Sequence, residues 1–224
     1  MDAILLVGGQ GTRLAPVVSD VPKPLAPVRG VPFLDFLLQQ LQMVATRVIL
    51  AVGYKGEQVI ERYKKMPHIL FSKEKTPLGT GGALRKALEL VSSEYVWILN
   101  GDSFFAISFS AMLESRVEVG ADITIACRYV DDVSRYGSIE MEGRRIIAFR
   151  EKRESGGPGW INGGIYLMRR ELLLDWPLDT PFSLEKEAFS LLVQKRCFAY
   201  PSDGKFIDIG TPESYRQAEE IVKL

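Results

Sequence analysis

The sequence predicts a doubly wound α/β fold, with a mostly parallel sheet and helices on both faces. Three observations carry that expectation. Short apolar runs of strand length alternate with longer runs of helical spacing. The strand runs are apolar almost throughout, as strands covered on both faces must be. A glycine-rich loop follows the first of them, and folds of this class meet their ligands at the carboxyl ends of strands.

In chain order, residues 3–7, 47–52, 68–71, 95–99 and 123–127 read as strands. Between them, residues 33–44, 56–65, 81–91 and 109–119 have helical spacing. The second half changes character. Residues 137–141, 145–149 and 164–169 are strand-like pieces joined by polar or glycine-rich turns. A helix over 184–194 precedes a strand at 196–200, another strand follows at 206–209, and a helix runs from about Pro212 to Val222. Proline suits the first turn of that helix, where no N–H is needed. No linker, repeat or low-complexity tract divides the chain. The expectation is a single domain over residues 1–224, its N-terminal half for a nucleotide and its C-terminal half for a second substrate.

Composition narrows the partners. The 224 residues are 46% hydrophobic and 25% charged, ordinary for a globular chain. Lys plus Arg and Asp plus Glu are 28 each, so nothing in the overall charge favours nucleic acid or an anionic membrane. A polyanion site must be a local cluster of cations. Cys127 and Cys197 are too isolated for a disulfide framework or a zinc site, and Cys127 reads as a small buried residue. The N-terminus lacks the basic start and cleavage site of a signal peptide, and no apolar stretch reaches membrane-spanning length. A reducing cytoplasm is the expected setting.

Gly8-Gly9-Gln10-Gly11-Thr12-Arg13-Leu14 follows the first strand. Its glycines let the backbone approach a ligand closely and turn amide N–H groups toward phosphate oxygens. Arg13 adds a forked cation suited to phosphate. The dinucleotide fingerprint is excluded, because Leu14 stands where it needs a third glycine. The P-loop is excluded, because its closing Gly-Lys-Ser/Thr is missing. Taken alone, the loop could be a glycine-rich turn with a surface arginine. It is followed, however, by Pro22-Lys23-Pro24, in which fixed φ on both sides of the lysine lowers the cost of presenting its ammonium.

Together these segments resemble the signature of the sugar nucleotidyltransferases, the group that includes glucose-1-phosphate thymidylyltransferases and mannose-1-phosphate guanylyltransferases. The resemblance continues, in family order, through Pro77-Leu78-Gly79-Thr80-Gly81-Gly82-Ala83, Asn100-Gly101-Asp102, Glu151-Lys152, Asn162-Gly163-Gly164, Ser183-Leu184-Glu185-Lys186-Glu187 and Asp208-Ile209-Gly210-Thr211-Pro212. It implies a Rossmann-like nucleotidyltransferase fold and transfer of a nucleoside monophosphate from an NTP to a sugar 1-phosphate, releasing pyrophosphate with Mg²⁺.

The resemblance also implies roles. Arg13 and Lys23 are the catalytic cations. Leu6, Gly8, Gly9, Gly11, Thr12, Glu74, Gly79, Thr80 and Asp102 bind the nucleotide. Gly137, Glu151, Lys152, Asn162 and Gly163 bind the sugar phosphate, and Asp102 with Asp208 holds the metal. Thr80 could also cap its own helix. The small residues around Thr80 would let base or ribose lie on the backbone, and Glu74 could accept the N1–H and 2-amino donors of guanine. Glu74 read without its neighbours would be an exposed carboxylate, Trp160 fits packing at least as well as sugar contact, and Glu185 is either a cap-region charge or a sugar contact.

The Glu74, Pro77–Ala83 and Ser183–Glu187 segments are most like the short guanylyltransferases acting on D-glycero-α-D-manno-heptose 1-phosphate, with mannose-1-phosphate guanylyltransferases next. GTP and a manno-configured sugar 1-phosphate are therefore the expected partners, with no nucleic acid or membrane; a homo-oligomer is compatible with the pattern. Products of such enzymes feed capsule, lipopolysaccharide or surface-layer glycans. The rivals are a uridylyl- or cytidylyltransferase, a glycosyltransferase and a non-catalytic nucleotide-sugar sensor. The glycosyltransferase lacks its Asp-x-Asp motif here, and a sensor would be expected to have lost one of the cations or carboxylates.

Overall fold

A computed structural model describes residues 1–150 and 156–222. In chain order its strands and helices are β1 (Asp2–Leu6), β2 (Pro27–Val28), β3 (Val31–Pro32), α1 (Phe33–Leu41), β4 (Arg47–Val52), α2 (Gly56–Tyr63), β5 (Ile69–Lys73), α3 (Gly79–Ala87) and β6 (Tyr95–Asn100). There follow β7 (Ser103–Phe105), α4 (Phe109–Val119), β8 (Ile123–Val130), β9 (Ser138–Glu142), β10 (Arg145–Arg150), β11 (Gly159–Arg169), α5 (Phe189–Leu192), β12 (Cys197–Pro201), β13 (Phe206–Asp208) and α6 (Pro212–Ile221).

The principal sheet of the described residues has nine strands in the order β5-β4-β1-β6-β11-β8-β12-β10-β9. β5, β4, β1 and β6 pair in parallel, as does β12 with β8. β11 lies antiparallel between β6 and β8, and β10 is antiparallel to β12 and β9. Every other side chain of β1 points to a different core. Ala3 and Leu5 pack with Phe33, Val59, Met112 and Ala218, so α1, α2, α4 and α6 cover one face. Ile4 packs with Leu84, Ala87, Phe189 and Leu192, so α3 and α5 cover the other. This is the two-faced burial that the continuous apolar runs require. No helix among the described residues is long and apolar enough to cross a membrane. Cys127 and Cys197 are both buried and free, and burial pushes both thiols up.

The departures from expectation are local. The β2–β3 hairpin turns through Arg29 and Gly30, both at positive φ (51° and 79°), a primed turn without the Asn-Gly or Asp-Gly that normally announces one. β7 is too short to leave a pattern. β11 begins at Gly159 because its glycines sit in a bulge within the strand; the register with β8 shifts between Asn162 and Tyr166. The helix expected over 184–194 is a π turn (Leu184–Ala188) followed by α5. The wider turn buries Leu184 and Ala188 while leaving Glu185 directed at Thr80.

At the amino end of β1, Asp2 is 3% exposed and fully engaged. Its Oδ1 and Oδ2 accept from Arg47 Nε and Nη2 at 2.9 and 2.7 Å, and Oδ2 also accepts from the Ser92 and Ser93 amides at 2.7 and 3.2 Å. Burial would raise its carboxyl, but Arg47 and the amides outweigh that and hold it at about 2. Asp2→Ala strands those donors, and chemical denaturation should show a loss of roughly 1–3 kcal/mol. Because the native carboxyl is depressed, its stabilisation is complete above the ordinary value of 3.8 and is lost as pH falls toward about 2. The stability difference between the wild type and Asp2→Ala should shrink across that window and stay constant above it.

Candidate active site

β1 has β4 and β5 on one side and β6 on the other, so the connections leaving it diverge between β1 and β6. That crevice, at the carboxyl ends of the strands, is where an open α/β sheet admits a ligand. The loop after β1 and the Asn100-Gly101-Asp102 turn after β6 face each other across it, joined by the Gly101 amide donating to Leu6 O at 3.0 Å. A cavity of about 390 Å³ opens there, lined among others by Leu6, Gly8, Gly9, Lys23, Glu74 and Asp102. Gly11 has φ +61°, and a Cβ there would lie 3.0 Å from Cβ of Lys23, so the glycine lets the loop pass over the lysine stem. Gly11 and Thr12 form the turn beside the cavity, outside its lining.

Pro22-Lys23-Pro24 forms a tight turn over Lys23–Leu25. The Lys23 side chain is only 9% exposed, and its Nζ donates to Asp102 Oδ2 at 2.7 Å. Burial would raise the Asp102 carboxyl; the Lys23 ammonium, with smaller help from Ser103 and Arg13, outweighs it and keeps the carboxyl below its usual range. β7 and β13 pair so that Asp208 lies opposite Ser103, and the Ile209 amide donates to Asp102 O at 2.9 Å. This small sheet brings together two aspartates far apart in sequence. Asp208 Oδ1 accepts from the Gly210 amide at 2.5 Å, and its Oδ2 lies 3.7 Å from Arg135 Nη2. A second cavity, of about 540 Å³, is lined by Arg13, Asp102, Arg135 and Asp208.

Among the described residues no cluster of three or more His, Cys, Asp or Glu side chains could cage a metal. Two hard carboxylates in one chamber, each already drawn to a cation, instead fit an ion such as Mg²⁺, which takes one or two carboxylates and fills its shell with water and phosphate oxygens.

The Gly79–Gly82 segment opens α3 as expected, but its glycines serve packing first. A Cβ at Gly79 would meet Phe182 O at 2.5 Å, one at Gly81 the Phe182 ring at 2.1 Å, and one at Gly82 Thr180 O at 2.7 Å. Gly79 and Thr80 also line the first cavity. Thr80 does not cap its own helix, whose N-cap is Leu78 with no side-chain bond. Its hydroxyl donates to Glu185 Oε2 at 2.7 Å and accepts from the Leu184 amide at 2.9 Å, so it caps the facing turn instead. Glu74 is half-buried, not an exposed surface charge. Its Oε2 accepts from the Leu78 amide at 3.1 Å, and Gly8 and Gly53 leave room for Oε1. Burial raises its carboxyl, and the Leu78 amide and Lys86 offset this only in part.

Gly137 and Asn162 line the second cavity, while Gly163 is buried in the β11 bulge, where a Cβ would strike the Phe105 ring at 2.4 Å. Asn162 Nδ2 donates to the Tyr166 hydroxyl at 2.8 Å and its Oδ1 accepts from the Gly164 amide at 2.9 Å. Tyr166 is buried, and burial together with the Glu185 carboxylate keeps its phenol well above the ordinary value, so it serves as a neutral strut. Trp160 packs edge-on against Tyr129. Glu151 and Lys152 lie outside the described residues.

Two residues join the site that sequence reasoning passed over or left open. Arg135 adds a second guanidinium to the Asp208 chamber; its signal was its place two residues before Gly137. Glu185 borders both cavities, which no local pattern around it could reveal.

A family model described as Nucleotidyl transferase matches residues 2–223. The chain is 39% identical to the D-glycero-alpha-D-manno-heptose 1-phosphate guanylyltransferase of Aneurinibacillus thermoaerophilus, over 98% of this chain and 97% of that protein. It is 31% identical to the mannose-1-phosphate guanylyltransferase of Mycobacterium tuberculosis, over 100% of this chain but 65% of that protein. The crystal structure of HddC from Yersinia pseudotuberculosis complexed with GMP-PN matches with a TM-score of 0.83 at 33% identity, covering 98% of each chain. The chain belongs to the nucleotidyl transferase family.

The glycine packing yields a stability test. Gly81→Ala forces its Cβ into the Phe182 ring and should cost roughly 1–3 kcal/mol, read as a lowered Tm. Gly9→Ala, with nothing within 4 Å of the added carbon, should leave Tm unchanged. Equal Tm values for the two variants would show that Phe182 yields freely.

Proposed function

We propose that this nucleotidyl transferase carries GMP from GTP to D-glycero-α-D-manno-heptose 1-phosphate, giving GDP-heptose and pyrophosphate. The observation that carries this reading is near end-to-end likeness to a guanylyltransferase of that sugar, 39% over 97% of its length, with every family cation and carboxylate among the described residues gathered at one crevice. Mannose 1-phosphate is the second candidate acceptor. The longer mannose enzyme, matched over only 65% of its length, makes it the weaker of the two. The product would feed surface glycans of the capsule or lipopolysaccharide kind.

The chemistry needs no protein nucleophile. An oxygen of the sugar phosphate is already anionic and attacks the α-phosphorus of GTP in line, while the bond from that phosphorus to the bridging β-oxygen breaks and pyrophosphate departs. The difficulty is bringing two polyanions together and stabilising the departing charge. Loop amides after β1 receive the triphosphate. Lys23, fixed by its flanking prolines and drawn toward Asp102, presents a positive charge at the phosphates. Arg13 and Arg135 supply guanidinium groups on the side where the second phosphate enters. Asp102 and Asp208 would hold Mg²⁺, which would supply positive charge to the phosphate oxygens and the leaving group.

Asp102→Ala and Asp208→Ala should each lower kcat by orders of magnitude, because the leaving charge loses its counterion. Each should also weaken Mn²⁺ binding measured directly by electron paramagnetic resonance. Lys23→Ala should lower kcat more than it raises either KM, since its charge matters most as the transition state forms. Full activity in EDTA, or unchanged Mn²⁺ binding in both aspartate variants, would remove the metal assignment.

Guanine is read at the Glu74 end of the first cavity, with the Gly79–Thr80 backbone beside it. Pyrophosphate release measured across GTP, ITP, ATP, UTP and CTP should rank GTP first and ITP between GTP and ATP, because ITP keeps N1–H and lacks only the 2-amino donor. A missing partner for a buried polar group costs roughly 1–3 kcal/mol, or about tenfold to over a hundredfold. In Glu74→Gln the preference for GTP over ITP should shrink. Equal kcat/KM for GTP, UTP and CTP would end the guanine reading and leave nucleotidyl transfer standing.

A further inference from the structure

Beyond the chamber that holds Asp102 and Asp208 lies a third cavity, of about 270 Å³. Gly137, Asn162 and Glu185 belong to both and form the passage between them. Its far wall is made by Phe149 and Arg150 of β10 and by Lys186 and Ser190 on the π turn and α5. We propose that this far cavity is a subsite for the exocyclic glycol of a seven-carbon sugar, the C6–C7 tail that distinguishes a heptose 1-phosphate from a hexose 1-phosphate. The proposal rests on the guanylyltransferase reading above and assigns its sugar specificity to residues outside the transfer chemistry.

The arrangement of the cavities sets the direction of the sugar. Its phosphate belongs with Arg13, Arg135 and the two aspartates, so its ring lies in the passage at Gly137, Asn162 and Glu185. The end of the sugar remote from the phosphate then enters the far cavity. That wall suits a neutral, hydroxylated chain. Phe149 is stacked on Phe189, with ring centroids 4.7 Å apart, and offers a fixed apolar floor for C–H groups. Ser190 Oγ donates to Lys186 O at 2.8 Å, which leaves its oxygen lone pairs to accept from a sugar hydroxyl. Arg150 is already engaged by a carboxylate. Arg150 is bound in bidentate fashion by Glu140 at 2.8 and 2.9 Å, and the Glu185 carboxylate stands at the entrance. A second phosphate on the sugar would meet those carboxylates.

Ser190 is exposed and carries no part of the transfer chemistry, so it can be changed without touching the cations or aspartates. The test measures kcat/KM with GTP for D-glycero-α-D-manno-heptose 1-phosphate, for mannose 1-phosphate and for the heptose 1,7-bisphosphate, in the wild type, Ser190→Ala and Ser190→Phe. The wild type should prefer the heptose monophosphate. Ser190→Phe should fill the cavity and lower the heptose-to-mannose ratio about tenfold or more, chiefly through KM for the heptose, and Ser190→Ala should lower it a few-fold. Tm values establish that each variant is folded. An unchanged ratio in a folded Ser190→Phe overturns the subsite and leaves guanylyl transfer intact. Preference for the bisphosphate overturns the neutral-tail assignment in favour of a phosphate site. Turnover of none of these sugars by the wild type overturns the heptose reading itself, and the subsite with it.

Discussion

The parallel pairing of β1 with β6, while β4 and β5 lie on the other side of β1, is the constraint from which the site follows. Chain connections must leave the top of β1 and of β6 in opposite directions, so a crevice opens between them without any side chain being spent on it. The pairing sets Leu6 against Asn100, so the glycine loop and Asp102 emerge side by side. The Gly101 amide bonded to Leu6 O fixes that spacing. Everything else in the site is built onto this pair of strand ends.

Charge is then placed so that none of it is stranded before substrates arrive. Lys23 is nearly enclosed, and an enclosed ammonium is costly without a partner; Asp102 supplies one at 2.7 Å. Asp208 faces Arg135 in the same way at longer range. These pairs hold carboxylates and cations oriented in the same chamber.

The two halves of the site are also tied directly. Thr80, which lines the first cavity, bonds both the Leu184 amide and Glu185, while Gly79 and Gly81 let Phe182, and Gly82 lets Thr180, press onto α3. Glu185 thereby sits at the meeting point of all three cavities, held by a residue that lines the first of them.

Most of the strands and helices were legible in the sequence, because strands covered on both faces are apolar throughout and helices covering them carry one apolar stripe. Arg47–Val52 and Phe109–Val119 were read to their observed ends on that basis. The motif residues Lys23, Asp102 and Asp208 were legible too, since strand ends, prolines and glycines mark themselves locally. What required the tertiary structure were relations between distant segments. The β7–β13 pair that joins Asp102 to Asp208, the Phe182 and Thr180 contacts that explain three glycines, the turn that Thr80 caps, and the place of Arg135 and Glu185 in the cavities all connect residues whose own neighbourhoods look unremarkable. Local chemistry determines which backbone a segment adopts and which charges it carries. Which of those charges face one another depends on strand order and on the packing of side chains far apart in the chain, and only the folded sheet decides that.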